Sequence, residues 1–152
     1  MLYYLSLGAN LGDREQTIKQ ALELIEQQVG HVLRCSSFFY SVPWGFESEN
    51  EFCNLCCAVK SSQDPLSVLR LTQTIERALG RNNKSQIINH KSVYKDRKID
   101  IDLIRAFDDS GNEIKCQNNQ MVNDQMVNVL TLPHPLWQER DFVKIPLAEI
   151  MP

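Results

Sequence analysis

Two aspartates one residue apart, Asp100 and Asp102 in "KIDIDLIR", are the residues whose chemistry stands out first. Ile99, Ile101 and Leu103 alternate with them. A strand changes face at every residue, so the two carboxylates share one face and the three apolar side chains the other. Such a pair can be an ordinary solvated surface. Yet aspartate forms strands poorly, and two like charges at i and i+2 repel unless a cation lies between them. A pair of carboxylates suits a hard divalent ion, Mg²⁺ above others. The stretch leading into the pair is basic: Arg81, Lys84, Lys91, Lys95, Arg97 and Lys98 against Asp96 alone, net +5 in a chain of formal charge −3. Metal ligands beside guanidinium groups are what a polyphosphate requires, with the metal bridging oxygens and arginine forks clamping others. There is no GxxxxGKS/T motif, and "GANLGD" is too weak a glycine pattern to cradle phosphate.

A second set of residues falls on the same face. In "FCNLCCAVK", Cys53, Leu55, Cys57 and Val59 form the apolar side of a strand, which turns Phe52 and Asn54 the opposite way. The face then carries two carboxylates, an amide and an aromatic ring. His134, held between two prolines in "LPHPLWQERDF", and Arg140 in the same segment extend the candidate set, while His31 and His90 have no comparable context.

The elements that must position these residues read in a definite order. Residues 2–8 form a strand. Asp13 caps a helix, with Gln16 as its capping-box partner, Ile18, Ala21, Leu22, Ile25 and Val29 as the apolar stripe and Gly30 as terminator. A strand follows over 32–41, then a loop punctuated by Pro43 and Gly45, then a strand over 52–60. Asp64-Pro65 opens a second helix striped by Val68, Leu71, Ile75 and Leu79 and ended by Gly80, and 99–105 is the fourth strand. The order β-α-β-β-α-β implies an α+β, ferredoxin-like sandwich, with both helices on one sheet face and an open, ligand-binding face on the other. The proline-spaced tail should wrap the core as loop and short helix. The Asn/Gln-rich region within 107–130 reads as a mobile surface insertion.

Composition bounds the rest. A chain of 152 residues, 43% hydrophobic and 23% charged, fits one globular domain over 1–152 that needs no disulfide or metal staple. No apolar run approaches a membrane span, the N-terminus has no basic leader, and the mildly acidic total disfavours a general nucleic-acid binder. The five cysteines are odd in number. The Cys53/Cys56 spacing lacks a second pair, and a strand would splay those thiols to opposite faces, so core packing is expected rather than zinc. A reducing, cytoplasmic location is the default.

"LSLGANLGD", "FCNLCCAV", "IERALGR", "DRKIDIDLI" and "LTLPHPLWQERDFVKIPLAEI" together resemble the 6-hydroxymethyl-7,8-dihydropterin pyrophosphokinases of folate biosynthesis, in the right order and over nearly the whole chain. The resemblance implies a monomeric enzyme that transfers pyrophosphate from ATP to the pterin hydroxymethyl oxygen and releases AMP, with two Mg²⁺ ions held by Asp100 and Asp102. It implies that Arg81 and Arg97 close on the triphosphate, and that Gln73, Glu76, Lys84, Leu103, Thr131, His134 and Arg140 lie along ATP. Asn54 would read the pterin edge, Phe52 and Phe142 would sandwich its ring, and the backbone from Ser41 through Pro43, Trp44 and Gly45 would complete its hydrogen bonds. Two positions depart from the family pattern: Tyr94 stands nearest the place of a loop aromatic, and Val129 occupies a position that is often basic. Two rival readings are a sheet that binds single-stranded RNA on Phe52 and the basic loop, and a family member that binds nucleotide without turnover. The aspartate pair opposes the first, because carboxylates repel phosphates unless a metal is present.

Overall fold

A computed structural model describes residues 1–42, 51–80 and 98–152, with the backbone of 87–88 and 91–92. The strands are β1 (Leu2–Ala9), β2 (His31–Cys35), β3 (Phe39–Ser41), β4 (Phe52–Lys60), β5 (Ile87–Ile88), β6 (Lys91–Ser92), β7 (Asp100–Phe107), β8 (Cys116–Val122) and β9 (Gln125–Leu132). The helices are α1 (Arg14–Gln28), α2 (Pro65–Ala78) and α3 (Asp141–Ile150). The main sheet is antiparallel in the order β2-β4-β1-β7, with β3 beside the other half of β4. This is the ferredoxin-like α+β sandwich that the element order implied.

Asp13 caps α1 by accepting from Gln16 N at 3.2 Å, and Asp64 caps α2 by accepting from Ser67 N at 2.8 Å. Gly80 has φ +99°, the left-handed residue expected after a helix. Gly30 does not, and its reason is space: a Cβ there would meet the Lys60 carbonyl oxygen at 2.2 Å. The expected single strand over 32–41 is broken in two. At the break Ser36 N donates to Cys56 O at 2.8 Å and Ser36 Oγ accepts from Cys56 N at 2.9 Å, so a side chain takes over one rung of the ladder.

Tyr3, Leu5 and Leu7 of β1, Cys53, Leu55, Cys57 and Val59 of β4, and Ile99, Ile101 and Leu103 pack beneath α1 and α2. Strand parity therefore held, and Cys53 and Cys56 lie in separate clusters on opposite faces. All five cysteines are free.

Two expectations gain detail. The second face is not wholly open: Tyr4, Cys56, Ala58 and Ile104 are covered by Val143, Leu147 and Ile150 of α3. The tail is amphipathic enough to form a real third layer over half the sheet. The surface insertion expected within 107–130 has a form of its own. It holds most of a β8–β9 hairpin closed by Asn123 (φ 49°) and Asp124 (φ 62°), the left-handed pair of a tight two-residue turn. At the base of that hairpin, Leu130 and Leu132 enter the core under the helices. None of the described helices is long and apolar enough to cross a membrane.

Candidate active site

The uncovered half of the second face is centred on Gly8. In register it pairs with Asn54 on β4 and with Asp100 on β7, and Ser6 pairs with Cys56 and Asp102. Three adjacent strands thus bring an amide, a hydroxyl and two carboxylates onto one patch. A Cβ on Gly8 would lie 2.7 Å from Asn54 Oδ1 and 3.7 Å from a Phe52 ring carbon, so the missing side chain is what lets the amide lie across β1. Asn54 is only 2% exposed, and its Nδ2 donates to Ser41 Oγ at 2.9 Å and to Phe39 O at 3.4 Å. A backbone carbonyl can only accept, so the nitrogen must face β3 and Oδ1 is left above Gly8 as an acceptor.

Next along β1 lie the carboxylates. Asp102 is held well above the usual carboxylate range. Loss of water around it is the main cause, followed by the charges of Asp100 and Glu76 and a hydrogen bond with Asp100, while Arg140 pulls the other way. The two carboxylates thus lie close enough for each charge to oppose the other. Glu76 is buried on α2, and its Oε2 accepts from Ile101 N at 2.9 Å. The residue expected beside ATP is thus tied to the backbone between the two aspartates and closes the outer edge of β7 there. Among the described residues, no group of three or more His, Cys, Asp or Glu side chains is placed to enclose a metal.

Beyond Asp102, a cleft of about 250 Å³ opens between α2, the edge of β7 and β9, with Asp102, Leu103, Thr131 and His134 on its walls. His134 N donates to Ile104 O at 2.8 Å, which fastens this segment to β7. Burial and the neighbouring Arg140 push the imidazole below its ordinary pKa, against the pull of Asp100, so it is neutral at pH 7. Leu136 N donates to His134 Nδ1 at 3.2 Å. Nδ1 is then the acceptor, and Nε2 carries the ring proton. Arg140 is buried, with its guanidinium 5.8 Å from the centroid of Phe142 at the start of α3.

The structure therefore brings Ser41, Phe52 and Asn54 together at one end, and Asp102, Leu103, Thr131 and His134 at the other, with Asp100 and Arg140 in electrostatic reach of both Asp102 and His134. Gln73 is exposed on α2 and does not line the cleft. Pro43, Trp44, Gly45, Arg81, Lys84, Arg97 and Tyr94 lie outside the described residues. Lys98 Cδ lies 3.4 Å from where a Gly80 Cβ would be, so the two residues that flank 81–97 meet, two positions before Asp100. Sequence reasoning missed Ser6, Gly8 and Asn128. The parity of β1 was enough to place the first two on the working face. Asn128 carried no such signal, because its strand was not foreseen.

Residues 4–152 match the family of 7,8-dihydro-6-hydroxymethylpterin-pyrophosphokinase (HPPK). The chain is 41% identical over 151 residues to the 2-amino-4-hydroxy-6-hydroxymethyldihydropteridine pyrophosphokinase of Porphyromonas gingivalis, covering 99% of this chain and 91% of that one. It is 33% identical to the Bacillus subtilis protein of the same name, over 97% of this chain and 76% of the relative. The fold is also that of the wild-type HPPK-DHPS of Plasmodium falciparum, with TM-score 0.67 at 17% identity, covering 99% of this chain and 40% of that longer one. Matched almost from end to end by sequence, and carrying this patch on a ferredoxin-like sheet, the chain belongs to the HPPK family of pyrophosphokinases.

Proposed function

We propose that this chain moves the β,γ-pyrophosphoryl group of ATP to the hydroxymethyl oxygen of 6-hydroxymethyl-7,8-dihydropterin, with Mg²⁺, and releases AMP. The observation that carries the reading is the continuity of the patch. An acceptor amide over a glycine floor lies in register with the aspartate pair, and Asp102 of that pair also lines the cleft that holds Thr131 and His134. That order matches a pterin, a reacting oxygen and a triphosphate laid end to end.

Each residue has a task that follows from its hydrogen-bonding state. Asn54 presents Oδ1 and so selects N–H groups on the pterin edge. Phe52 beside it and Phe142 at the head of α3 offer the apolar ring faces that a flat heterocycle needs. His134 donates from Nε2 to a phosphate oxygen without adding charge, while Arg140 supplies the charge. Arg81, Lys84 and Arg97 close on the triphosphate from the basic stretch. Asp100 and Asp102 fit a hard divalent cation, since two buried carboxylates whose charges oppose one another are relieved by a cation between them; the remaining ligands would be substrate and water oxygens. Bound there, Mg²⁺ supplies neutralisation of the charge on the transferring group. The protein contributes alignment and fixed dipoles rather than covalent chemistry. The pterin oxygen forms its bond to the β-phosphorus, the bridging oxygen between α and β leaves with AMP, and the hydroxyl proton passes to solvent. The RNA-binding alternative loses ground, because α3 covers half of the face such a module would need.

The test is a coupled assay with ATP, Mg²⁺ and hydroxymethyldihydropterin. AMP formed in step with pterin diphosphate is the expected outcome. ADP as the nucleotide product, or ATP binding without turnover, would overturn the reading.

A further inference from the structure

We propose that Asn128 is a positioning residue for the nucleotide, which fixes the hydroxyl of Thr131 as a hydrogen-bond donor into the cleft beside His134. This rests on the reading that the cleft receives ATP.

The argument begins with the backbone. In the β8–β9 pairing, Asn118 opposes Leu130 and Asn119 opposes Asn128, so Val129 is an extra, bulged residue on β9. A bulge bends its strand and re-aims the side chains around it. Here it lets the Asn128 side chain fold back along its own strand. Leu130 N donates to Asn128 Oδ1 at 3.1 Å, and Asn128 Nδ2 donates to Thr131 Oγ1. The first of these bonds decides the second. A backbone N–H can only donate, so the amide atom facing Leu130 must be the oxygen, and the atom facing Thr131 must be the NH₂ group.

A threonine hydroxyl has one proton and two lone pairs. With Asn128 donating to one of those lone pairs, the proton cannot point at Asn128 and is turned toward another partner. Among the described residues, none accepts that proton. Thr131 lines the cleft together with His134 and Asp102. Of the neutral polar groups on this wall, His134 presents Nε2–H, set by Leu136 N, and Thr131 presents Oγ–H, set by Asn128, which itself lines the cleft. Two such donors on one cleft recognise an acceptor-rich ligand, such as the phosphate and ribose oxygens or the unprotonated ring nitrogens of a nucleotide.

The discriminating variant is Asn128→Asp. It keeps the shape and the bond from Leu130 N, but its second oxygen can only accept. The Thr131 proton then turns onto the introduced carboxylate rather than into the cleft, and the ligand loses its donor. With the full chain and Mg²⁺, calorimetric ATP affinity should fall about tenfold, the worth of one hydrogen bond to a partly charged partner. The KM for ATP should rise with kcat nearly unchanged, and pterin affinity should stay within twofold. Thr131→Val should lose a similar factor, Thr131→Ser should retain most affinity, and adding Asn128→Asp to Thr131→Val should cause no further loss. A loss that persists in the Thr131→Val background would be charge repulsion by the new carboxylate and would overturn the proposal, as would wild-type affinity in Asn128→Asp. Asn128→Ala guards against a folding artefact: it leaves the hydroxyl proton free, so its loss should be smaller than that of Asn128→Asp. An equal loss would mean that Asn128 only shapes the hairpin, and the proposal would fail. Absence of ATP binding in the wild-type chain would instead sink the nucleotide reading on which the proposal rests.

Discussion

The two faces of the sheet carry different burdens, and β1 shows both. On the helix side Tyr3, Leu5, Leu7 and Ala9 are fully buried, one apolar residue after another. On the other side the same strand runs Tyr4, Ser6, Gly8, from an aromatic ring under α3 to a hydroxyl and then to no side chain at all. The helix face has one task, removal of apolar area from water, and every position along it does that. The second face changes task midway. Where α3 covers it, it is core, and where α3 stops, polar groups are held in place by one another. Function here is located by the edge of a covering helix as much as by any motif.

The largest expected effect lies in the uncovered half. Asp100→Ala and Asp102→Ala should each lower turnover by more than about 10³-fold, because charge neutralisation at a transferring phosphoryl group is worth several kcal/mol. The fold should survive, since neither side chain packs the helix-side core. AMP production together with thermal unfolding checks both halves. The raised pKa of Asp102 adds a signed test. A carboxyl whose pKa is raised by folding supports the fold fully below its unfolded value, near 3.9, and withdraws that support as pH rises through the folded value. Asp102→Asn should therefore be more stable than wild type at pH 7 to 8 without divalent ions. The advantage should vanish toward pH 4 and shrink when Mg²⁺ is added. An advantage that grows on acidification would mean that Asp102 is not the strained member of the pair.

The covered face should respond in stability rather than in turnover. Leu5→Ala, one residue from Ser6 but turned under the helices, removes a fully buried side chain and should destabilise by about 2–5 kcal/mol. Substrate affinities measured well below its Tm should stay near wild type. A Leu5→Ala variant with normal Tm and weakened ATP binding would erase the division between the faces.

Smaller again is Gly8→Ala, on the working face itself. The new methyl would meet Asn54 Oδ1 at 2.7 Å and push the amide from its place, although Ser41 and Phe39 still hold its nitrogen. Pterin binding should weaken by about 1–3 kcal/mol, as for a lost buried hydrogen bond. ATP binding should change little, because the cleft lies on the other side of β7. Equal losses for both ligands would show that Gly8 supports the whole sheet rather than the amide.

What the sequence disclosed followed from period. Residues 52–60 and 99–105 alternate cleanly, so Phe52, Asn54, Asp100 and Asp102 could be placed on one face before any fold was known. The β2/β3 break depends on one serine hydroxyl meeting Cys56 N, a contact between chain positions 20 apart that no local pattern announces. The same is true of Glu76, whose Oε2 accepts from the backbone N–H of Ile101, 25 positions away. The tail was legible as loop and short helix wrapping the core; that the helix runs through Pro146 and lies over the second face was not, because only the fold brings Val143, Leu147 and Ile150 onto Tyr4 and Ile104. Asn128 could not be found without the bulge at Val129, which exists only once β8 pairs with β9.

The smallest effect should come from the tip of that hairpin, and it asks how far the working region extends. Asn123 and Asp124 both have left-handed backbone angles, φ 49° and 62°. Asparagine tolerates this region and aspartate does so less well, while glycine enters it freely but has more freedom to lose on folding. The two terms nearly cancel in Asp124→Gly, leaving a net gain of about 0.5 kcal/mol, in line with the preference of such turns for Asn-Gly. The tip carries exposed Met121 and Met126, whereas Thr131 at the base lines the cleft. Four residues of extended strand separate Asp124 from Asn128, about 13 Å. ATP affinity of Asp124→Gly should therefore match wild type within twofold, with a Tm equal or slightly higher. A clear fall in ATP affinity would carry the nucleotide site outward along the hairpin, and the boundary of the working half would then be set by β9 as well as by the end of α3.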